Sequence, residues 1–130
     1  VKKTLDFLKE KNVPLGIITN GPTDHQTKKL KQLQLNNWIP SRNMLISQAT
    51  GFQKPEKEIF QLAEKEFHML PEETLYVGDN YDNDVPGAKS ANWQALWFNH
   101  RERKIEQTPI CDIEISSFDQ LLETMKTIFV

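Results

Sequence analysis

Residues 74–84 read Thr74-Leu75-Tyr76-Val77-Gly78-Asp79-Asn80-Tyr81-Asp82-Asn83-Asp84, and this stretch decides the fold. Thr74 to Val77 is a short apolar run of the kind that forms a strand buried in a parallel sheet. Gly78 lets the backbone turn sharply where the strand ends. Asp79, Asp82 and Asp84 then crowd into one turn, and such carboxylates repel one another unless a cation or a basic group compensates. Hard oxygen ligands of this type suit Mg²⁺, which takes one or two protein carboxylates and keeps waters and substrate phosphate. The competing reading is a capped helix start, with Asp82 or Asn83 as N-cap and acids favoured in the first turn. It accounts for one or two of the acids, and Asp84 serves either reading. A helix from about Asp84 to Ala91 follows, then a strand Gln94 to Phe98.

The same alternation extends outward. On the N-terminal side, Leu5, Leu8 and Val1 or Thr4 mark the apolar stripe of a helix running to about Lys11. Val13 to Thr19 reads as a buried strand closed by Asn20-Gly21-Pro22, and Thr23 to about Leu35 as a helix with Leu30, Leu33 and Thr27 at helical spacing. Met44 to Ser47 is a second strand and Ala49 to Gln53 a loop. Pro55 is placed at a helix start, where its missing N–H costs nothing, and Ile59, Phe60, Leu62, Ala63 and Phe67 form that helix's core face. On the C-terminal side, Asp112 to Ile115 reads as an edge strand and Phe118 to Ile128 as a closing helix. Strands alternating with helices predict an α/β fold, a three-layer Rossmann-like parallel sheet covered on both faces, with ligand beyond the carboxyl ends of the strands. No internal repeat or linker composition interrupts it, so residues 1–130 read as one domain.

Composition narrows the function classes. The net charge of −2 and pI near 5.9 give no electrostatic case for nucleic acid or an anionic membrane as partner. The apolar runs are too short to span a bilayer, and the opening Val-Lys-Lys-Thr-Leu-Asp has no signal-peptide h-region. A single cysteine, Cys111, excludes an internal disulfide framework, and a reducing cytoplasm is the expected location.

Two further candidate sites fall at predicted strand ends. Thr19-Asn20-Gly21 sets a hydroxyl and an amide ahead of a helix N-terminus, an arrangement that suits an anion, although taken alone such a stretch is more often a plain Asx or ST turn. Lys54, held extended by Pro55, is either a solvated loop lysine or a cation aimed from a rigid loop. The hydroxyl, the lysine and the acids arrive in the order in which a parallel sheet would present them. His25, His68 and His100 lie near no partner cluster in the sequence and are read as solvated or satisfied side chains. Cys111 is read as structural, and Trp38, Trp93 and Trp97 as packing residues. Tyr81 and Arg101 lie near the predicted mouth as possible substrate contacts.

The run Leu15-Gly16-Ile17-Ile18-Thr19-Asn20-Gly21, then Gly51-Phe52-Gln53-Lys54-Pro55-Glu56 with Ile59-Phe60, then Leu75-Tyr76-Val77-Gly78-Asp79-Asn80 with Asn83-Asp84-Val85-Pro86-Gly87-Ala88, resembles the haloacid dehalogenase-like hydrolase superfamily. It matches that family's second, third and fourth motifs across essentially the whole chain. With Gln26 and Lys29-Leu30 it is similar to the subgroup of small-metabolite phosphatases. The resemblance implies that Thr19 hydrogen-bonds a phosphoryl oxygen, that Asn20 makes an adjacent contact, and that Lys54 neutralises phosphoryl and nucleophile charge. It implies Asp79 as a Mg²⁺ ligand, and Asp84 as an acid that orients Lys54 or a metal-bound water. Gly78-Asp79 favours a Mg²⁺-dependent phosphatase over a dehalogenase, with a nucleotide or sugar phosphate as the expected class of substrate.

The family's first motif, D-x-D-x-T/V after a strand, supplies a nucleophile and a general acid/base. The one D-x-D here, Asp82-Asn83-Asp84, follows Gly78-Asp79 and no apolar strand, so no nucleophile is assigned in this chain. The chain opens inside a predicted helix and is expected to be a piece of something longer. The resemblance places the missing strand between those ending at Thr19 and Asp79, and a cap before Val1. A sheet without its central strand is expected to be marginal as a monomer and to associate, swap elements, or be completed by the missing segment. The alternative function is an inactive remnant that binds Mg²⁺ and phosphate, or only mediates association.

Overall fold

In the computed structural model, which describes residues 2–130, six helices and five strands follow in largely alternating order. They are α1 (Lys2–Glu10), β1 (Ile17–Thr19), α2 (Thr23–Gln32), β2 (Met44–Ile46), α3 (Ser47–Thr50), α4 (Lys57–Glu66), β3 (Leu75–Gly78), α5 (Tyr81–Ser90), β4 (Gln94–Phe98), β5 (Ile113–Ile115) and α6 (Phe118–Ile128). Short 3₁₀ turns at Leu35–Asn37, Ser41–Asn43 and Pro71–Glu73 complete the connections.

The two faces of β4 explain the layers. Side chains alternate along a strand, and Ala95 and Trp97 join a buried cluster with Ile59, Phe60 and Ala63 of α4 and Val85 and Ala88 of α5. Leu96 and Phe98 face the other way, into a cluster with Leu8 of α1 and Leu121 and Met125 of α6. Phe60 is fully buried and meets Tyr76 and Trp93 edge-on, at ring separations of 5.2 and 5.3 Å, a preferred aromatic geometry. Removing a side chain of this kind costs about 3–5 kcal/mol. The expected α/β three-layer, parallel architecture is what the chain forms.

All pairings are parallel, but they fall in two sheets. In one, β1 runs beside β2 with Ile18 opposite Leu45. In the other, β3 pairs with β4, Val77 opposite Leu96, and β4 with β5, Trp97 opposite Glu114. No ladder joins β1 to β3, and Val77 is 41% exposed. The sheet is open where the missing central strand was expected.

Several local expectations are corrected. α5 starts at Tyr81, three residues earlier than read, because the Asn80 carboxamide caps it by accepting from Asn83 N at 3.3 Å. Asp82 and Asn83 therefore lie in the first turn, and neither is the N-cap. Pro55 lies outside α4, which begins at Lys57. Glu56 closes a tight turn in between, its N–H donating to Gln53 O and its carboxylate accepting from Gln53 N, both at 2.8 Å. Part of the predicted 49–53 loop is the one-turn helix α3, ended by Gly51 at φ +83°, a left-handed conformation suited to glycine. β1 begins at Ile17 rather than Val13, because only residues 17–19 pair with β2. The helical spacing of Leu30, Leu33 and Thr27 marks no core face: α2 buries no residue, and Leu33 is exposed. In α1, Thr4 and Leu8 are the buried positions; Val1, the alternative to Thr4, lies outside the described residues.

Candidate active-site cleft

Lys54 is held from both ends. The Asn20 side chain clamps its backbone, Oδ1 accepting from Lys54 N at 2.9 Å and Nδ2 donating to Lys54 O at 3.0 Å. At the far end, Nζ donates to Asp84 Oδ1 at 2.7 Å and to the Tyr76 hydroxyl at 3.0 Å. An ammonium has three donors, so one is left for an anion. The Lys54–Asp84 pair is largely shielded, with side chains 12% and 4% exposed. The solvated-lysine reading is thereby replaced by a pinned cation.

Asp84 is aimed from α5 onto the end of β3. Its second oxygen, Oδ2, accepts from Asn80 N at 3.0 Å. Both carboxylate oxygens are thus committed to protein donors, which suits the orienting role expected for Asp84 and not direct ligation. Gly78 makes room for it, since a Cβ there would run into the Asp84 carboxyl group.

Asp79 behaves differently. Its side chain is 67% exposed, and His100 Nε2 lies 3.6 Å from its Oδ2. Asp79, His100, Lys54, Asp84 and Tyr76 line one cleft of about 590 Å³, floored by apolar residues including Ile18 and Phe98. An accessible carboxylate beside a pinned lysine fits a hard cation that needs only one or two protein ligands. Among the described residues, no cluster of three or more His, Cys, Asp and Glu side chains forms a closed metal cage.

The first-strand end sits beside this cleft and is less open than the sequence suggested. Thr19 Oγ1 donates to Gln26 Oε1 at 3.3 Å. Gly21 N donates to Ser47 Oγ at 2.9 Å and Thr23 N to Gln48 Oε1 at 2.6 Å, so two N–H groups of the expected anion site are taken. The Asn20 side chain positions Lys54 and is not left free for a ligand. Thus Lys54, Asp79 and Asp84 share the cleft, while Thr19 and Asn20 flank it.

Three other assignments change. Tyr81 is 3% exposed, meets Trp97 edge-on at 4.9 Å and accepts from Ile110 N at 3.0 Å; it is a core residue and not a substrate contact. His100, read as an isolated histidine, stands at the cleft. Its proximity to Asp79 depends on the pairing of β3 with β4 and carries no sequence signal. Tyr76 was read only as part of a strand. Burial and the neighbouring Asp84 carboxylate push its phenol well above the ordinary value, with Asp79 adding to the effect, so it is a neutral hydroxyl in the cleft wall. Trp93 and Trp97 pack the core as expected, and Trp38 anchors to Asp6 at 2.8 Å. No described helix is long and apolar enough to cross a membrane.

A pinned lysine, an exposed carboxylate and a shielded one thus gather at the carboxyl ends of parallel strands, where ligands of such sheets sit. The model of the haloacid dehalogenase-like hydrolase family matches residues 1–98, and the chain belongs to that family. A glyceraldehyde 3-phosphate phosphatase of Pyrococcus furiosus is 34% identical over 128 residues, 96% of this chain and 52% of that protein. A phosphoserine phosphatase of Thermus thermophilus is 30% identical over 113 residues, 87% of this chain and 45% of that one. Among solved structures, a HAD phosphatase from Thermococcus onnurineus superposes with a TM-score of 0.85 at 30% identity, covering 98% of this chain and 57% of that one. The HAD-hydrolase YfnB from Bacillus subtilis, bound to magnesium, gives a TM-score of 0.85 at 27% identity, over 95% and 54% of the two chains. The chain spans about half the length of these curated relatives.

Proposed function

We propose that this chain is the phosphate- and metal-holding part of a Mg²⁺-dependent phosphatase acting on a small phosphorylated metabolite, a nucleotide or sugar phosphate, through an aspartyl-phosphate. The nucleophilic Asp lies outside these 130 residues, on a strand that seats between β1 and β3. The observation that carries this reading is Lys54, held between Asp84 and Tyr76 with one donor to spare, across a cleft from the exposed Asp79. The small phosphate esters in the names of the similar proteins support the substrate class, and the magnesium in the Bacillus subtilis structure supports the metal. A reducing, cytoplasmic setting is the one that the single cysteine of this chain suits.

In this reading Asp79 holds the Mg²⁺, which when bound supplies positive charge against the phosphoryl oxygens. Lys54 balances charge on the phosphoryl group and the attacking carboxylate, and Asp84 keeps the ammonium in place. Thr19 donates to a phosphoryl oxygen by exchanging its contact with Gln26. Electrostatic stabilisation from such prepositioned groups is the main contribution a protein makes to phosphoryl transfer.

A second reading, a remnant that binds Mg²⁺ and phosphate or only associates, is favoured by the unpaired edges of β1 and β3. Hydrolysis of p-nitrophenyl phosphate with Mg²⁺ tests the pair. The chain alone is expected to show no turnover, and to gain it when a segment carrying D-x-D-x-T/V is supplied. Robust turnover by the chain alone, abolished in Asp79→Ala, would overturn the assignment of the nucleophile to another segment. Failure of every supplied segment to restore turnover would favour the remnant.

A further inference from the structure

Tyr76 does more than pack. Its ring meets Phe60 and Trp93, a task that phenylalanine would perform equally well. The hydroxyl is spent elsewhere. It donates to the Ile18 carbonyl of β1 at 3.2 Å and accepts from Lys54 Nζ at 3.0 Å. One oxygen on β3 thereby ties β1, β3 and the lysine loop together across the opening where no backbone ladder joins the two sheets.

The direction of these bonds matters. A phenol has a single proton, and here it goes to Ile18 O, so the oxygen's lone pairs face the ammonium. Without the hydroxyl, Asp84 would be the one hydrogen-bond acceptor of the Lys54 head, beside the Tyr76 ring face 5.5 Å from Nζ. With Tyr76 as the second acceptor two of its three N–H groups are fixed, and the third is left for the cleft.

We infer that Tyr76 is a positioning residue: its hydroxyl sets the place of the Lys54 ammonium relative to the end of β1, and so prepares the lysine to meet a phosphoryl group. The inference rests on the reading of Lys54 as the phosphate-binding cation. Its consequence is separable from packing, because Tyr76→Phe keeps the ring and removes only the hydroxyl.

The test uses the full chain and Tyr76→Phe. Acetylation of each lysine by acetic anhydride at neutral pH is followed by peptide mass spectrometry, with Lys89, paired to Asp112, as internal reference. Loss of one hydrogen bond should speed Lys54 labelling about fivefold to tenfold and leave Lys89 unchanged. Binding of inorganic phosphate in the presence of Mg²⁺, read by calorimetry, should weaken by a similar factor. A purely structural tyrosine would lower the melting temperature while leaving Lys54 labelling as in the unaltered chain, and that result would overturn the inference. If the unaltered chain binds no phosphate, the phosphate-holding reading fails, while the labelling comparison still decides the role of Tyr76. Should Tyr76→Phe not fold, proton NMR of the unaltered chain decides. A slowly exchanging Tyr76 hydroxyl proton with a cross-peak to the Lys54 side chain supports the clamp, and its absence refutes it.

Discussion

Gly78 and Asp84 occupy what would otherwise be the same space: a methyl group on Gly78 would overlap the Asp84 carboxyl carbon and Oδ2. The strand end and the helix that follows are packed so closely that the carboxylate rests against bare backbone. That contact aims Asp84 at Lys54, and through it the rest of the cleft.

Gly78→Ala should therefore displace Asp84. Overpacking of this kind costs about 1–3 kcal/mol, and the Lys54–Asp84 contact would lengthen as well. Urea denaturation should report the loss of stability, and phosphate binding should weaken in parallel. Unchanged stability and binding would show that α5 can move away freely.

Asp84→Asn keeps the shape and removes the charge. The Lys54 ammonium, shielded from water, would lose its counterion, and breaking one side of a buried pair costs about 3–5 kcal/mol. The residual exposure of the lysine places the expected loss near the lower end, about 3 kcal/mol. A loss below about 1 kcal/mol, the scale of an exposed pair, would show that water reaches Lys54 readily.

The raised phenol of Tyr76 predicts an alkaline limit to stability. Its folded-state pKa is raised above the ordinary value by burial and by Asp84, so folding favours the protonated form. This contribution is complete below the ordinary tyrosine value and is lost as pH rises above it. Stability should fall above about pH 10, with tyrosinate absorbance at 295 nm from this residue appearing only as the chain unfolds. Tyr76→Phe should flatten that limb of the pH profile. A Tyr76 that ionises in the folded chain at its ordinary value would contradict the buried environment.

The facing edges of β1 and β3 lack a ladder, and unpaired edges invite a further strand. Sedimentation velocity of the isolated chain should show concentration-dependent association, reduced when an extended segment carrying D-x-D-x-T/V is added. A chain that stays monomeric at high concentration and melts at high temperature would show that the two edges need no partner.

Much of the scaffold was legible from residue order alone. Gln94 to Phe98 and Phe118 to Ile128 were read at their observed limits, because a continuous apolar run and a helical apolar stripe reveal themselves within one segment. Lys54, Asp79 and Asp84 were candidates because their place after predicted strands coincided with the family motifs, and the fold brings the three to one cleft. The sequence by itself thus determined the α/β class, the order of the elements and the family motifs.

Only the tertiary structure decided what those residues hold. That Asn20 grips the Lys54 backbone, that Tyr76 reaches from β3 to Ile18, and that His100 comes within 3.6 Å of Asp79 are facts about strands far apart in the chain. The burial of Tyr81 and the exposure of Leu33 follow from which neighbours each face finds. Periodicity reports which side of an element is apolar, whereas hydrogen-bond partners and the gap between β1 and β3 depend on how separate segments meet in space. Those meetings are set by the packing of the whole, and no local stretch of residues encodes them.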